Sequence, residues 1–180
     1  MRSGNTVDRL LADCKYSQGS SVTCILQVMR YGEAMTKPSS RKCRHTGCPI
    51  AFTLDVLGDR WTLLIIRDLI FMGKRHYGEF LKSGEGIATN VLADRLGRLE
   101  SEGIVSKQVD PKDQKKYLYR LTDKGEDLLP VLLEMILWGA THDPKTAAPK
   151  VFIDRLKSDR DAVTKETLAR LRAKKPKESK

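Results

Sequence analysis

Cys43, His45 and Cys48 fall together in the run CRHTGCP, and Cys48 stands immediately before Pro49. Proline at the first helical position has its φ already set for a helix. Cys48 is therefore expected at the N-cap, where the helix dipole favours a thiolate. Such a thiol is open to oxidation or alkylation, with Cys43 or the same residue of a second subunit as its resolving partner. The competing reading is a half-buried thiol with no signalling role. The cluster also holds residue types that ligate zinc, but it lacks C-x2-C spacing and a clear fourth ligand, so no metal site is predicted. Cys14, Cys24, Cys43 and Cys48 all precede residue 49, which leaves no disulfide to staple the rest of the chain internally.

A second group of chemically suggestive residues lies in GIATNVLADRLGRLESEGIV. Leu92, Leu96 and Leu99 recur at i, i+4 and i+7, the spacing of a helix with one buried edge. The opposite edge carries Asn90, Asp94, Gly97, Arg98 and Ser101, and is small and polar. A glycine inside a helix costs about 1 kcal/mol against alanine. Either this is an ordinary solvated face, or something large comes very close to it.

The elements that must position these residues can be read from turn and cap signals. Pro49 and Gly58 bracket one helix, CPIAFTLDVLG. In DRWTLLIIRDLIFMG, Trp61, Leu64, Ile65, Leu69 and Ile70 recur at helical spacing until Gly73 ends the run. A short helix, HYGEFLKS, and a GEG turn follow. After Gly103 the pattern changes to two strands, IVSKQVD and KKYLYRL, joined by PKDQ as a β-hairpin. Thr122 is a plausible N-cap for a helix with a stripe of Leu128, Val131, Leu132, Met135 and Trp138, in which Pro130 must sit near the first turns or bend the helix. DPKTAAP reads as a linker, and residues 150–173 as one further basic helix through Ile153, Leu156, Val163, Leu168 and Leu171. The expected organisation is an N-terminal extension over 1–42 with little fixed structure beyond a short helix near Val22–Met35, a main domain over 43–143, and a linker, basic helix and unstructured tail over 144–180. Met35 is an alternative translation start.

Among 180 residues, 40% are hydrophobic and 31% charged, the balance of a soluble globular protein. No apolar run nears the roughly 18 residues needed to cross a bilayer, and no basic cluster leads into an N-terminal apolar stretch, so a cytoplasmic protein is expected. The net charge of +10 is a weak argument for nucleic acid, because it lives in the ends. Residues 1–48 hold 8 Lys+Arg against 3 Asp+Glu, and residues 150–180 hold 11 against 5, whereas the middle is nearly neutral.

The order helix, helix, short helix, turn, helix, basic hairpin, helix is that of a winged helix-turn-helix: mostly α with a small β-hairpin wing. The second helix of such a pair fits the major groove, about 12 Å wide, and the hairpin reaches the flanking backbone or minor groove. The runs CPIAFTLDVLGDRWTLLIIRDL, RHYGEFLKSGEGIATNVLADRLGRLESEGIV and YLYRLTDKGEDLLPVLLEMILWG occur in that order and resemble the HxlR-type winged-helix transcriptional regulators, relatives of the MarR group, over about Cys48 to His142. The resemblance implies a dimeric, cytoplasmic, bacterial-type DNA-binding regulator of operators with two half-sites, often responsive to oxidants or electrophiles.

Thr89, Asn90, Ala93 and Asp94 are then the base-edge candidates, with Asn90 suited to the paired bonds that adenine N6 and N7 offer. Asp94 either accepts from cytosine N4 or orients Arg98 one turn on, and the second is preferred. Arg95 is a candidate for phosphate contact or for a structural ion pair. Arg75 and His76, ahead of the short helix, are placed to hold a phosphate together with helix N–H groups. Lys107, Lys112, Lys115 and Lys116 are the wing candidates. Double-stranded DNA and a second copy of the chain are the expected partners, with the first helix, the helix through Trp138 and the tail helix available for dimerisation. No Gly-rich phosphate loop or carboxylate pair points to a cofactor or a catalytic centre. The alternatives are a thiol redox protein built on Cys43 and Cys48, disfavoured by the lack of C-x-x-C and of a βαβ scaffold, and a winged helix used only for protein interaction.

Overall fold

The computed structural model describes residues 47–173. The N-terminal extension, the helix near Val22–Met35, the Met35 start and Cys43 lie outside the described residues, as does the extreme tail.

The chain enters at α1 (Pro49–Leu57), with Cys48 at its N-cap and Pro49 in its first turn. Gly58 closes it, and α2 (Arg60–Arg67) starts at once because the Asp59 side chain accepts from the amides of Trp61 and Thr62, both at 3.0 Å. The helix does not run on evenly to Gly73. Asp68–Met72 form a π-helical turn, which Gly73 ends in the left-handed region at φ 67°. Such turns are rare and carry no signature that periodicity reveals.

The short helix α3 (Tyr77–Leu81) follows, then a turn containing Gly84 and Gly86 at positive φ, then α4 (Thr89–Ser101). Strands β1 (Val105–Asp110) and β2 (Asp113–Leu121) form an antiparallel hairpin whose loop is tighter than the sequence suggests, with Asp110 opposite Asp113. A register irregularity falls between Val109 and Asp110. The hairpin also gains a partner: His76 bridges to Leu118, and the Tyr119 amide donates to the Arg75 carbonyl at 2.8 Å.

Thr122 caps the next segment as expected, accepting from the Gly125 amide at 3.1 Å and donating to the Gly103 carbonyl at 2.6 Å. Gly125 is required there by packing, since a Cβ would lie 2.3 Å from the Ile104 carbonyl oxygen. The helix is broken, however. A single turn, α5 (Asp123–Glu126), is followed by α6 (Leu129–His142), and Pro130 sits in the first turn of α6, where its missing N–H costs nothing. The expected stripe on α6 divides between core and surface, with Leu128 packed against the core. Leu129, Leu132 and Leu133 are buried, while Val131, Met135 and Trp138 are exposed, Trp138 at 69%.

The C-terminal segment is two helices rather than one, α7 (Lys150–Ser158) and α8 (Arg160–Ala173), and it is not a separate basic arm. Leu156, Val163 and Leu171 join the same core as Ile66, Leu69, Leu92 and Leu133. The Arg172 guanidinium pairs at 2.8 Å with Glu126, which is buried, so α8 is tied to α5 by charge as well as packing. Val163 and Leu171 of its apolar side are therefore buried within the chain. Among the described residues no helix is long and apolar enough to cross a membrane.

Candidate nucleic-acid interface

Helix α4 presents the two faces its sequence promises. Leu92, Leu96 and Leu99 are buried against the scaffold. Thr89, Asn90, Ala93, Asp94 and Gly97 are all exposed. Among the described residues nothing lies within 4 Å of where a Gly97 Cβ would stand, so no contact among them explains that glycine. The start of α4 is pinned by the hydroxyl of Tyr77, which donates to the Thr89 carbonyl at 2.6 Å and so ties α3 to α4.

The two arginines of α4 turn inward. Arg95 lies 3.0 Å from the Asp59 carboxylate and 2.8 Å from Asp94. Asp94 thus pairs with its neighbour Arg95, not with Arg98 as the sequence suggests. Arg98 is committed instead to the Asp55 carbonyl at the end of α1. Burial works to raise the Asp59 pKa, but the hydrogen bonds from Thr62 and the charge of Arg95 outweigh it and hold the carboxyl below its ordinary value. One aspartate therefore caps α2 and anchors α4, which fixes the angle of the exposed face.

Arg75 and His76 are also used within the fold. The Arg75 guanidinium donates to the Leu69 and Lys74 carbonyls at 2.6 and 2.7 Å, bracing the π-helical turn. The amides of Arg75 and His76, expected to meet a phosphate, already donate to the Glu79 carboxylate at 2.6 and 2.9 Å. Glu79 fills the anion position as part of a capping box with His76. The Glu79 carboxylate, three residues past His76, thus occupies these two amides within the fold.

The His76 ring joins the scaffold to the wing. Its Nε2 lies 2.7 Å from Asp110, made reachable by the register irregularity beside Val109, and its Nδ1 lies 3.5 Å from Glu79. The bond to Asp110 is the main reason its pKa stands above the ordinary value, with Glu79 adding to it against a desolvation that lowers it. Asp110 is correspondingly low, first through the Lys112 amide and then through His76.

The wing lysines divide. Lys107 lies over the Tyr117 ring, 4.1 Å from its centroid, and Lys116 pairs with Asp113 at 2.8 Å. Lys112 and Lys115 are exposed at the tip, and among the described residues no carboxylate is within ion-pair distance of either ammonium. They line one cleft of about 620 Å³ with Lys82, which sequence reasoning misses and whose signal is only its place at the end of the short helix. Cys48 is an exposed free thiol at the start of α1, without a side-chain capping bond. No metal-binding group of His, Cys, Asp and Glu occurs among the described residues.

Residues 56–147 match the model of the HxlR-like helix-turn-helix. The chain belongs to the HxlR-like helix-turn-helix family. An HTH-type transcriptional regulator of Synechocystis sp. is 38% identical over 59% of this chain and 80% of its own length. The HTH-type transcriptional regulator YybR of Bacillus subtilis is 36% identical over 53% of this chain and 76% of its own. The crystal structure of PA1607 is 40% identical, with a TM-score of 0.52 over 58% of this chain and 73% of that one. In HxlR-like terms α3 and α4 are the helix-turn-helix and the β1–β2 hairpin is the wing. The helices α7 and α8 lie beyond the matched region.

Proposed function

We propose that this protein is a transcriptional regulator that binds duplex DNA as a homodimer, with the outer face of α4 in the major groove and the hairpin tip on the flanking backbone. The observation that carries the reading is the exposed face Thr89, Asn90, Ala93, Asp94 and Gly97, small, polar and with no contact among the described residues to explain its glycine. Asn90 and Thr89 meet base edges, and Lys112 and Lys115 meet phosphates. Arg95, Arg98, Arg75 and His76 hold the reading surface rigid. Exposed apolar residues support a second copy: Ile50 and Leu54 on one side of α1 and Phe52 on the other, each more than 60% exposed, and the face of Val131, Met135 and Trp138 on α6. A single reading helix contacts too few bases for genomic discrimination, so dimerisation follows from the recognition chemistry itself.

Cys48 adds a thiol modulation of the same regulator. It is exposed at the foot of α1, whose last turn holds Arg98 of the reading helix, so an adduct or disulfide there would bear on α4. The test is footprinting of duplexes selected from a random pool by the full chain, with and without an oxidant. Two protected half-sites about 10 bp apart, or a multiple of that, support the dimeric reading. Protection by a single half-site overturns it, and indifference of both wild type and Cys48→Ser to the oxidant overturns the thiol arm alone.

A further inference from the structure

On the side of the molecule built by the C-terminal helices, a cavity of about 620 Å³ opens between the π-helical turn, α6, α7 and α8. Small-molecule sites commonly run from about 300 to 1,000 Å³, mostly apolar with a few placed polar groups. Phe71, Met72, Ile136, Phe152 and Val163 supply the apolar wall, and the Phe71 and Phe152 rings meet edge to face at 6.4 Å.

Three guanidinium groups also reach this lining, and two of them are neutralised. Arg67 pairs with Asp68 and Glu85, each at 2.7 Å, and Arg155 pairs with Glu166. Arg170 differs. Among the described residues it has no carboxylate within ion-pair distance, and its Nη2 makes one long bond, 3.4 Å, to the Ile70 carbonyl. The open cleft therefore offers an apolar wall with one exposed guanidinium at its edge that no carboxylate of the described residues pairs. A carboxylate matches a guanidinium with two parallel bonds. Glu166 on the same lining disfavours a second negative charge.

We propose that this cavity binds a small amphipathic monocarboxylate, its carboxylate on Arg170 and its apolar body against Phe71 and Phe152. The segment beyond residue 147 completes the site with Phe152, Val163 and Arg170, while Arg67, Phe71, Met72 and Ile136 lie within the region the family model matches. Occupancy would be felt at the wing, a step that rests on the DNA-binding reading. Ile70 and Leu69 lie in the π-helical turn; Leu69 accepts from Arg75, and the Arg75 carbonyl accepts from Tyr119 of β2. A ligand that draws Arg170 off Ile70 alters the support of that chain of bonds.

The test is calorimetric titration of the full chain with 2-naphthoate, decanoate and the neutral 2-naphthamide. One carboxylate per chain is expected to bind at least about tenfold more tightly than the amide, and Arg170→Gln should abolish that preference while leaving the amide's affinity unchanged. A preference for naphthoate over decanoate identifies the body as a ring, and the reverse as an alkyl chain. Failure of both carboxylates to saturate at millimolar concentration, equal binding of acid and amide, or an unaltered preference in a folded Arg170→Gln protein overturns the proposal. Ala148→Trp, which fills the mouth of the cavity, should remove binding of all three probes, and retention of binding would place the site elsewhere. The bound carboxylate should also shift the affinity for a selected duplex; an unchanged affinity overturns the effector role. Failure to bind any duplex would strike the DNA-binding reading while leaving the calorimetric result to stand.

Discussion

Gly97 is the residue at which the two demands on α4 separate. Among the described residues it serves no packing purpose, so Gly97→Ala should raise stability by about 1 kcal/mol, as helix propensity dictates. If its absent side chain is clearance for DNA, the same substitution should weaken duplex binding. Denaturant unfolding and anisotropy titration of one variant read both effects, and a stabilised variant with unchanged DNA affinity would show that this face is merely solvated. His76 is the other residue with a double character. Its folded pKa stands above 6.5, so it binds its proton more tightly folded than unfolded. The stability it contributes is complete below about pH 6.5 and is lost as pH rises through the raised folded value. Asp110, lowered from 3.8, contributes above that value and loses its contribution as pH falls through its folded pKa. The pair is therefore strongest between these limits, and His76→Gln should flatten the decline of melting temperature expected of wild type as pH rises above about 6.5.

At the scale of elements, the hairpin is held by more than its own ladder. The Tyr119 amide on Arg75, the His76–Asp110 contact and the edge-to-face pair of Phe80 and Tyr119, 6.2 Å apart, dock it on the scaffold. That leaves Lys112 and Lys115 as the tip charges without internal work. The double variant Lys112→Ala, Lys115→Ala should reduce affinity for all duplexes alike and lower the salt slope by about 2, one for each phosphate no longer neutralised. An unchanged slope would remove the wing from the interface. Helices, hairpin and caps are legible in the sequence because periodicity, Pro49, Gly73, Gly103 and Thr122 are local signals. The structural ion pair of Arg95 is one of two sequence readings, but its partner Asp59 and the backbone partners of Arg75 and Arg98, Leu69 and Asp55, come into reach only once the elements pack. The π-helical turn and the break before Pro130 escape for a related reason: both preserve apolar spacing while changing which residues face inward.

For the whole molecule, the exposed apolar residues of α1 and α6 are the outstanding feature, since large hydrophobic residues exposed in sets mark association. Periodicity places Val131, Met135 and Trp138 on one apolar stripe with Leu128 and Leu132, and hydrophobicity alone does not distinguish a core from an interface. Phe52→Glu together with Trp138→Glu should leave a folded monomer by sedimentation, with much weaker duplex binding than wild type. A dimer of unchanged stability would place the association surface elsewhere. The family is legible from the order of three motifs, whereas the packing of α7 and α8 on the core requires the fold. The central claim, that the outer face of α4 reads base sequence, is tested most directly by selecting preferred duplexes from a random pool with wild type and with Asn90→Ala. The expected result is two related half-sites for wild type, with the variant losing its preference at one position in each, at a cost of about 1–3 kcal/mol. An identical preference and affinity in the variant would contradict it.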